Sequence, residues 1–454
     1  MSASIATRIG TRLSRPAGVR PARRLRLAHR FLAIVVLALI VRLVVVVATP
    51  RFVPQTDAAD YDRTAVSLVR QGSFPPSVVT SHGGPSALRP PLFSIALAGV
   101  YKIVGVDSQV ARWRAGRVLE ALLGTIAVAL IGLIALRLFG RGVALLAGTI
   151  AAVYPPLLLV GSSLMTESLY IPLALGAVLT ALVHRSSAHR GRWAILTGLL
   201  IGLGELTRSN GIALVIPILV LVWPRPWRSW RALRAPLVVL VAAILTLAPW
   251  TIRDARLFHR FVPITTGSGY ALAGTYNNTS FKLVSVPAAW LPPVLAVHDV
   301  LARNPTLDEA QISDRLQRAG LHFIGAHPAY PAKVALWNTI RLLDLSGPGL
   351  ERDSAATNAY PPGLAVLSVY AFWLLGLLAL VGALTRAARR APWSFWACPL
   401  VLLASAVMLI GSTRYRSPAD PFLIVLAALG CSVAWGRLRG AAIDPAPASS
   451  IPPA

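Results

Sequence analysis

The chain has 454 residues, of which 55% are hydrophobic and 13% are charged, and its mean hydropathy is +0.64. A soluble fold of this length cannot bury so many apolar side chains, so the composition predicts a membrane protein. The formal net charge of +27 would suit a nucleic-acid-binding protein. The arginines, however, lie between apolar runs, where they act as topology signals, so no nucleic-acid partner is expected.

The N-terminal residues 1–30 carry eight arginines and no acidic residue. They precede the apolar run FLAIVVLALIVRLVVVVAT at 31–49, which no clear small-residue cleavage pattern follows. We therefore expect a basic cytoplasmic tail and a retained first span rather than a cleaved signal peptide. At the other end, the Pro/Ala-rich residues 437–454 are expected to form a disordered cytoplasmic tail.

Hydropathy predicts an all-α polytopic membrane protein with about ten spans, within a range of about nine to twelve, at roughly 20 residues per crossing. The predicted spans lie near 31–49, 91–106, 117–137, 142–160, 164–183, 194–223, 235–250, 362–383, 395–411 and 420–436. Two polar segments, 50–90 and 251–361, interrupt them and cannot lie in hydrocarbon, where their backbone would lack hydrogen-bond partners. We expect one transmembrane catalytic domain, 31–436, with both segments as large extracytoplasmic loops in the cell membrane.

Crossing parity places both loops outside if the N-terminus is cytoplasmic. The last three spans then leave the arginines at 386–390 inside, as the positive-inside rule requires. The segment HRSSAHRGR at 184–192, however, falls outside despite its three arginines. An alternative divides 194–223 into two short helices at ELTRSNG, with Arg208 at an outer turn, and loses a crossing elsewhere. The sequence leaves both alternatives open.

The second loop contains TLDEAQISDRLQRAGLHFIGAHP at 306–328. Thr306 and Glu309 have the spacing of a capping box. Apolar residues recur at near-helical intervals at Ile312, Leu316, Leu321 and Ile324. An amphipathic helix on the membrane surface is therefore expected here.

Two carboxylates and a tyrosine follow the first span. Asp57, Asp60 and Tyr61 have the i, i+3, i+4 spacing that places side chains on one face of a helix. They could form a carboxylate site at the mouth of this span. The alternative is a solvated loop helix whose acids keep the segment out of lipid.

An arginine precedes two prolines at the outer edge of the predicted second span. Pro90 and Pro91 fix the chain where it enters the membrane. Arg89, held beside them, offers a forked donor to a phosphate in the headgroup layer. The alternative is an ordinary snorkelling arginine.

Three further arginines lie outside if parity holds. Arg253 comes just after the seventh span, and Arg414 and Arg416 lie between the last two spans in GSTRYRSPADP. Basic groups that violate the positive-inside rule are better functional candidates than those that obey it.

Charged residues also occur inside or near predicted spans. Glu167, in SSLMTESLY, lies near a membrane boundary and is a further candidate. Glu205 and Arg208 have the spacing of an ion pair on one helix, and we interpret them either as a structural pair or as functional groups.

The order of these motifs resembles the GT-C superfamily of integral-membrane glycosyltransferases, in particular the branch of protein O-mannosyltransferases and lipid A aminoarabinose transferases. The matching elements are Asp57 with Tyr61, RPPL at 89–92, TE at 166–167, PWTIRD at 249–254 followed by FVPITT, and RYRSPADP at 414–421. They cover nearly the whole chain.

The resemblance implies a polyprenyl-phosphate sugar donor and an acceptor hydroxyl on a glycan, lipid or protein, with transfer on the non-cytoplasmic face. It implies that Asp57 is the general base of a single, inverting displacement. Arginines, Arg89 first among them, would stabilise the charge that the lipid phosphate gains. The candidate substrate-binding residues are Asp60, Tyr61, Arg89, Glu167, Arg253, Arg414 and Arg416.

Ala58 directly follows Asp57, where many relatives carry a second acid, and no metal-binding DxD motif is evident. No metal and no cofactor are therefore expected. The alternative function is a transporter or flippase of an anionic lipid or lipid-linked sugar, which would place ionisable groups near mid-membrane. A non-catalytic scaffold would explain the spans but not the polar residues on one face. The transferase is favoured because most ionisable residues lie in the two loops.

Overall fold

The structure, a computed structural model, describes residues 21–223, 230–292, 306–357 and 360–438. The described part contains α-helices and two 3-10 helices and no β-strand, so the predicted all-α fold is confirmed. The α-helices are α1 (Pro21–Ala48), α2 (Thr56–Gln71), α3 (Leu92–Val104), α4 (Gln109–Phe139), α5 (Arg141–Val153), α6 (Pro155–Val160), α7 (Glu167–His184), α8 (Arg190–Glu205), α9 (Val215–Val222), α10 (Arg234–Phe258), α11 (Gly267–Thr275), α12 (Asn278–Lys282), α13 (Glu309–Ala326), α14 (Tyr330–Leu342), α15 (Pro348–Thr357), α16 (Pro362–Ala383), α17 (Arg386–Arg390), α18 (Trp393–Leu409), α19 (Thr413–Arg416) and α20 (Asp420–Leu438). The 3-10 helices span Ser209–Leu214 and Trp230–Leu233.

A bundle of apolar helices forms the body of the protein. Among the described residues, five helical stretches are long and apolar enough to cross a membrane: Leu25–Ala48, Gln109–Phe139, Glu167–His184, Trp230–Phe258 and Pro362–Ala383. Shorter apolar helices pack with them, and aliphatic side chains from α4, α5, α7, α18 and α20 form the largest buried cluster. The protein is therefore a multi-pass membrane protein, as predicted.

Helix α3 lies along α2. Tyr101 of α3 donates a 2.9 Å hydrogen bond to Asp62 of α2, and Arg112 in the first turn of α4 reaches the same carboxylate at 2.9 Å. The 13 residues of α3 extend for about 20 Å, less than the thickness of a bilayer's hydrocarbon core. Helix α3 is thus shorter than a typical membrane span, and the crossing at 91–106 stays a prediction.

The long span predicted at 194–223 is two helices joined by a turn. The 3-10 helix Ser209–Leu214 joins α8 to α9. Arg185, just past α7, donates to the carbonyl of Leu221 at 3.2 Å, so α9 ends beside the end of α7. The structure therefore agrees with the alternative that placed a turn at Arg208.

One end of the bundle gathers the basic connections between helices. Arg137 bonds to Ser186, which joins the end of α4 to the α7–α8 connection. The Phe139 ring stacks on Trp396 of α18 at 6.2 Å, and Trp396 donates to the carbonyl of Ala388 in α17. The arginines brought to this end are Arg137, Arg141, Arg185, Arg190, Arg192, Arg386, Arg389 and Arg390.

Two prolines interrupt the helix after α5 and remove two backbone N–H donors. Pro155 and Pro156 have no N–H, so the carbonyls of Ala151 and Ala152 cannot complete their i+4 hydrogen bonds. Arg42 of α1, which is 1% exposed, donates to these oxygens at 3.4 and 3.3 Å. The buried guanidinium therefore caps the broken helix, a role that the apolar run around Arg42 does not predict.

The amphipathic helix expected near residue 306 is confirmed as α13, whose apolar face packs against α11. Its capping box is formed by Asp308 and Gln311. The prediction of Thr306 and Glu309 for this role is wrong, because the Glu309 carboxylate accepts hydrogen bonds from other segments.

Candidate functional site

Five segments bring charged side chains together at the end of the bundle opposite the basic connections. Asp57 lies in the first turn of α2, Glu167 begins α7 and Arg414 lies in α19. Arg89 precedes the two prolines before α3, and Arg208 lies in the turn after α8. All five occupy helix starts or turns, so residues far apart in sequence meet at one end of the bundle.

These side chains form a continuous chain of ion pairs. Arg414 donates to Asp57 at 2.8 Å and to Glu167 at 2.5 Å. Arg208 also bonds to Glu167, and Arg89 also bonds to Asp57. Each of the two carboxylates therefore holds two arginines.

The chain of ion pairs leads from the protein interior to an open mouth. The side chain of Glu167 is fully buried, that of Arg414 is 7% exposed, and those of Asp57 and Arg89 are 18% and 35% exposed. At the mouth, Arg89 also reaches Asp60 at 3.3 Å. The three carboxylates balance the three arginines in formal charge, so an incoming anion must compete with the carboxylates for guanidinium groups.

Two tyrosines flank the arginines. The Tyr415 ring centre lies 4.4 Å from the guanidinium carbon of Arg208 and 5.3 Å from that of Arg414. The buried Tyr61 ring lies 5.9 Å from Arg89, and burial raises the pKa of Tyr61 to about 12, so its phenol is neutral. Aromatic faces stabilise guanidinium groups and restrict their orientation.

Asp57 is ionised in this arrangement. Burial alone would raise the pKa of its carboxyl group, but Arg89 and Arg414 outweigh burial and hold the pKa of Asp57 well below its usual range. A carboxylate stabilised in this way is a weak base. Its basicity rises if an arginine moves away from it.

Arg253 lies outside the chain of ion pairs. It donates to the carbonyl of Ser86 at 3.2 Å. Its guanidinium carbon lies 4.8 Å from the ring centre of Phe74 and 4.3 Å from that of Trp250. Arg253 thus supports the segment that leads to Arg89, and its direct contact with a substrate stays a prediction.

Arg416 belongs to a separate buried cluster. It donates to Asp344 and to the carbonyl of Leu342, both at 2.6 Å, and lies 3.2 Å from Asp420. These contacts tie the end of α14 to the start of α20. The predicted contact of Arg416 with a phosphate stays a prediction that no described contact supports.

Arg208 and Tyr415 were not among the predicted substrate-binding residues. The spacing of Glu205 and Arg208 suggested a pair on one helix, but α8 ends at Glu205 and Arg208 bonds to Glu167. The alternative with a turn at ELTRSNG places Arg208 at an outer turn but does not predict its bond to Glu167. Tyr415 gives no comparable signal, because tyrosines are common near the ends of membrane spans.

Among the described residues, no group of three His, Cys, Asp or Glu side chains is placed to hold a metal ion. The carboxylates of the candidate site bind arginines instead. Independence from metal stays a prediction.

Comparison with known proteins supports the resemblance. The sequence profile of the family described as dolichyl-phosphate-mannose-protein mannosyltransferase matches residues 88–252. This interval contains Arg89, Glu167 and Arg208. No curated protein sequence matches the chain.

Solved structures share the fold. The archaeal oligosaccharyltransferase AglB from Archaeoglobus fulgidus, in complex with an inhibitory peptide and a dolichol-phosphate, has a TM-score of 0.55 and 14% identity over 90% of this chain and 51% of that chain. The Archaeoglobus fulgidus oligosaccharyltransferase tethered to an acceptor peptide has a TM-score of 0.54 and 15% identity. The match covers 90% of this chain and 50% of that chain. The chain thus spans about half the length of these proteins.

ArnT from Cupriavidus metallidurans bound to undecaprenyl phosphate has a TM-score of 0.42 and 16% identity, over 92% of this chain and 80% of that chain. This likeness is too loose to support a conclusion. The family profile and the oligosaccharyltransferase fold together confirm the resemblance to the GT-C superfamily.

Proposed function

Because the chain has the GT-C fold, we propose that it transfers a sugar from a polyprenyl-phosphate donor to an acceptor hydroxyl. The observation that carries this proposal is the chain of ion pairs in which Asp57 shares Arg89 and Arg414. It combines a carboxylate that can accept a proton with arginines that can hold a phosphate. Its place at helix ends rather than at mid-bundle favours a transferase over a transporter.

In the proposed reaction, Asp57 accepts the proton of the acceptor hydroxyl as that oxygen attacks the anomeric carbon of the sugar. The bond between this carbon and the phosphate oxygen breaks, and its electron pair leaves with the lipid phosphate. Arg89 and Arg414 stabilise the charge that the phosphate gains. A single displacement of this kind inverts the anomeric configuration.

The donor phosphate would also activate the base. In the structure, Arg89 and Arg414 hold Asp57 as a weak base. A phosphate that draws these guanidinium groups away leaves the carboxylate with less positive charge around it, and its proton affinity rises. Asp57 then becomes basic only when a donor is present, which protects the site from unproductive protonation.

We place this site on the extracytoplasmic face of the cell membrane. The opposite end of the bundle carries the arginines of the α4–α5, α7–α8 and α16–α18 connections, and basic connections face the cytoplasm. This orientation puts 184–192 inside, which removes the conflict with the positive-inside rule. It also leaves both termini in the cytoplasm.

The proposal is tested by sugar transfer in lipid, with purified protein and a panel of polyprenyl-phosphate sugars. We expect wild type to turn over at least one donor and Asp57→Asn to be slower by about 10²- to 10⁴-fold, because the base is lost. Asp107→Asn is the matched control, since the Asp107 side chain is 95% exposed and lies outside the site. Equal rates for wild type and a folded Asp57→Asn variant would exclude Asp57 as the base.

A further inference from the structure

A buried carboxylate joins the two loop segments next to the candidate site. Glu309 at the start of α13 is 1% exposed. Its Oε1 accepts hydrogen bonds from the Ala87 N–H at 2.7 Å and the Thr266 hydroxyl at 2.6 Å. Its Oε2 accepts from the hydroxyls of Ser77 at 2.6 Å and Ser86 at 2.8 Å.

These four donors satisfy Glu309 without a cation, since no arginine or lysine in the described part of the chain forms an ion pair with it. A buried carboxylate without a counter-ion is costly unless hydrogen bonds compensate it fully. An apolar side chain would pack two loops together at lower cost. The carboxylate therefore does more than fill space: it fixes the positions of the groups that donate to it.

The groups that Glu309 fixes lie directly before Arg89. The Ala87 carbonyl accepts from the Thr266 N–H at 2.9 Å, and the Leu88 carbonyl accepts from the Thr265 hydroxyl at 2.6 Å. On the other side of Arg89, two prolines restrict the backbone. The backbone that carries Arg89 is thus held from both directions, although the Arg89 side chain itself is 35% exposed at the mouth.

We propose that Glu309 is a positioning residue that sets the Arg89 guanidinium for the phosphate of the donor, acting through residues 86–88. This inference rests on the proposed function. If Glu309 has this role, binding of the phosphate by Arg89 of the first loop depends on the second loop, because Glu309 and Thr266 belong to the second loop. A purely structural Glu309 would stabilise the fold without any specific effect on Arg89.

The test is a double-mutant cycle on binding of undecaprenyl phosphate to the full chain in lipid. The variants are Glu309→Ala, Glu309→Gln, Arg89→Gln and the double variant Glu309→Ala with Arg89→Gln. We expect Glu309→Ala to weaken binding by about tenfold. The affinity of Glu309→Gln should lie between those of wild type and Glu309→Ala. Its amide oxygen still accepts hydrogen bonds, and the serine hydroxyls can rotate to accept from its amide nitrogen.

In the Arg89→Gln background, Glu309→Ala weakens binding no further, since the residue it positions is gone. Asn277→Ala is the matched control: Asn277 is 3% exposed, and among the described residues its side-chain amide donates to Ala273, Gly274 and Ser280 of the same loop. The Asn277→Ala variant should lower the melting temperature but leave the binding of undecaprenyl phosphate unchanged.

Two results would overturn the inference in different ways. Equal losses from Glu309→Ala in both backgrounds, with wild type binding normally, mean that Glu309 acts independently of Arg89 while the proposed function stands. Absence of binding by folded wild type contradicts the proposed function and removes this inference with it.

Discussion

At the scale of single residues, the candidate site depends on which arginine binds each carboxylate. Asp57, Arg89, Glu167 and Arg414 lie in one chain of ion pairs, in which Asp57 and Glu167 each bind two arginines. Those pairings join segments up to 357 residues apart, so they depend on how the bundle packs. Arg416, two positions from Arg414, looks equivalent in sequence and lies in a different cluster.

Tyr415 provides a prediction at this scale. Its ring lies across the guanidinium groups of Arg208 and Arg414, so Tyr415→Leu removes a stabilising aromatic face. We expect binding of undecaprenyl phosphate to weaken about three- to tenfold, the loss of roughly 1 kcal/mol for such contacts. Tyr415→Phe keeps the face and should retain wild-type affinity. Equal weakening in both variants would show that the hydroxyl, not the ring, matters.

At the scale of elements, hydropathy identifies apolar helices but not the direction in which they run. Helix α3 has the composition of a short span, yet the Asp62 contacts of Tyr101 and Arg112 keep it beside α2. The 194–223 segment reads as one long apolar run because the turn at Arg208 is only a few residues long. Both cases concern connections, where a few polar side chains decide the path of the chain.

Arg42 gives a prediction about the break after α5. Replacing it by Met leaves the carbonyls of Ala151 and Ala152 without donors in a buried site. We expect a loss of about 1–3 kcal/mol in the free energy of unfolding, measured as a lower melting temperature in detergent. Arg30→Met on the exposed part of the same helix is the control and should not change it. A melting temperature unchanged by Arg42→Met would mean that other groups or water satisfy these carbonyls.

At the scale of the whole molecule, the proposed orientation rests on the end of the bundle at which the basic connections lie. The basic connection at 184–192, which hydropathy alone places outside, lies with the other basic connections at one end of the bundle. The predicted positions of the large loops and the tails depend on the proposed orientation and stay predictions. Of the predicted tails, 1–30 and 437–454, residues 1–20 and 439–454 lie outside the described residues.

This orientation is tested by cysteine labelling of intact cells with a membrane-impermeant maleimide. Ser187→Cys, at the basic end, should stay unlabelled until the cells are opened. His82→Cys, exposed in the loop before Arg89, should label at once. The chain's own Cys398 and Cys431 lie in apolar helices and set the background. Labelling of Ser187→Cys in intact cells would invert the proposed orientation.

The sharing of arginines between Asp57 and the donor phosphate is tested most directly by one binding measurement, the dissociation constant of undecaprenyl phosphate for wild type, Asp57→Asn and Arg414→Gln in lipid. Asp57→Asn should bind about three- to tenfold more tightly than wild type, because it frees Arg89 and Arg414 from a competing anion, although it transfers sugar far more slowly. Arg414→Gln should bind more weakly. Weaker binding by both variants would contradict the shared arginines, because it would mean that Asp57 contributes to the phosphate site instead of competing with it.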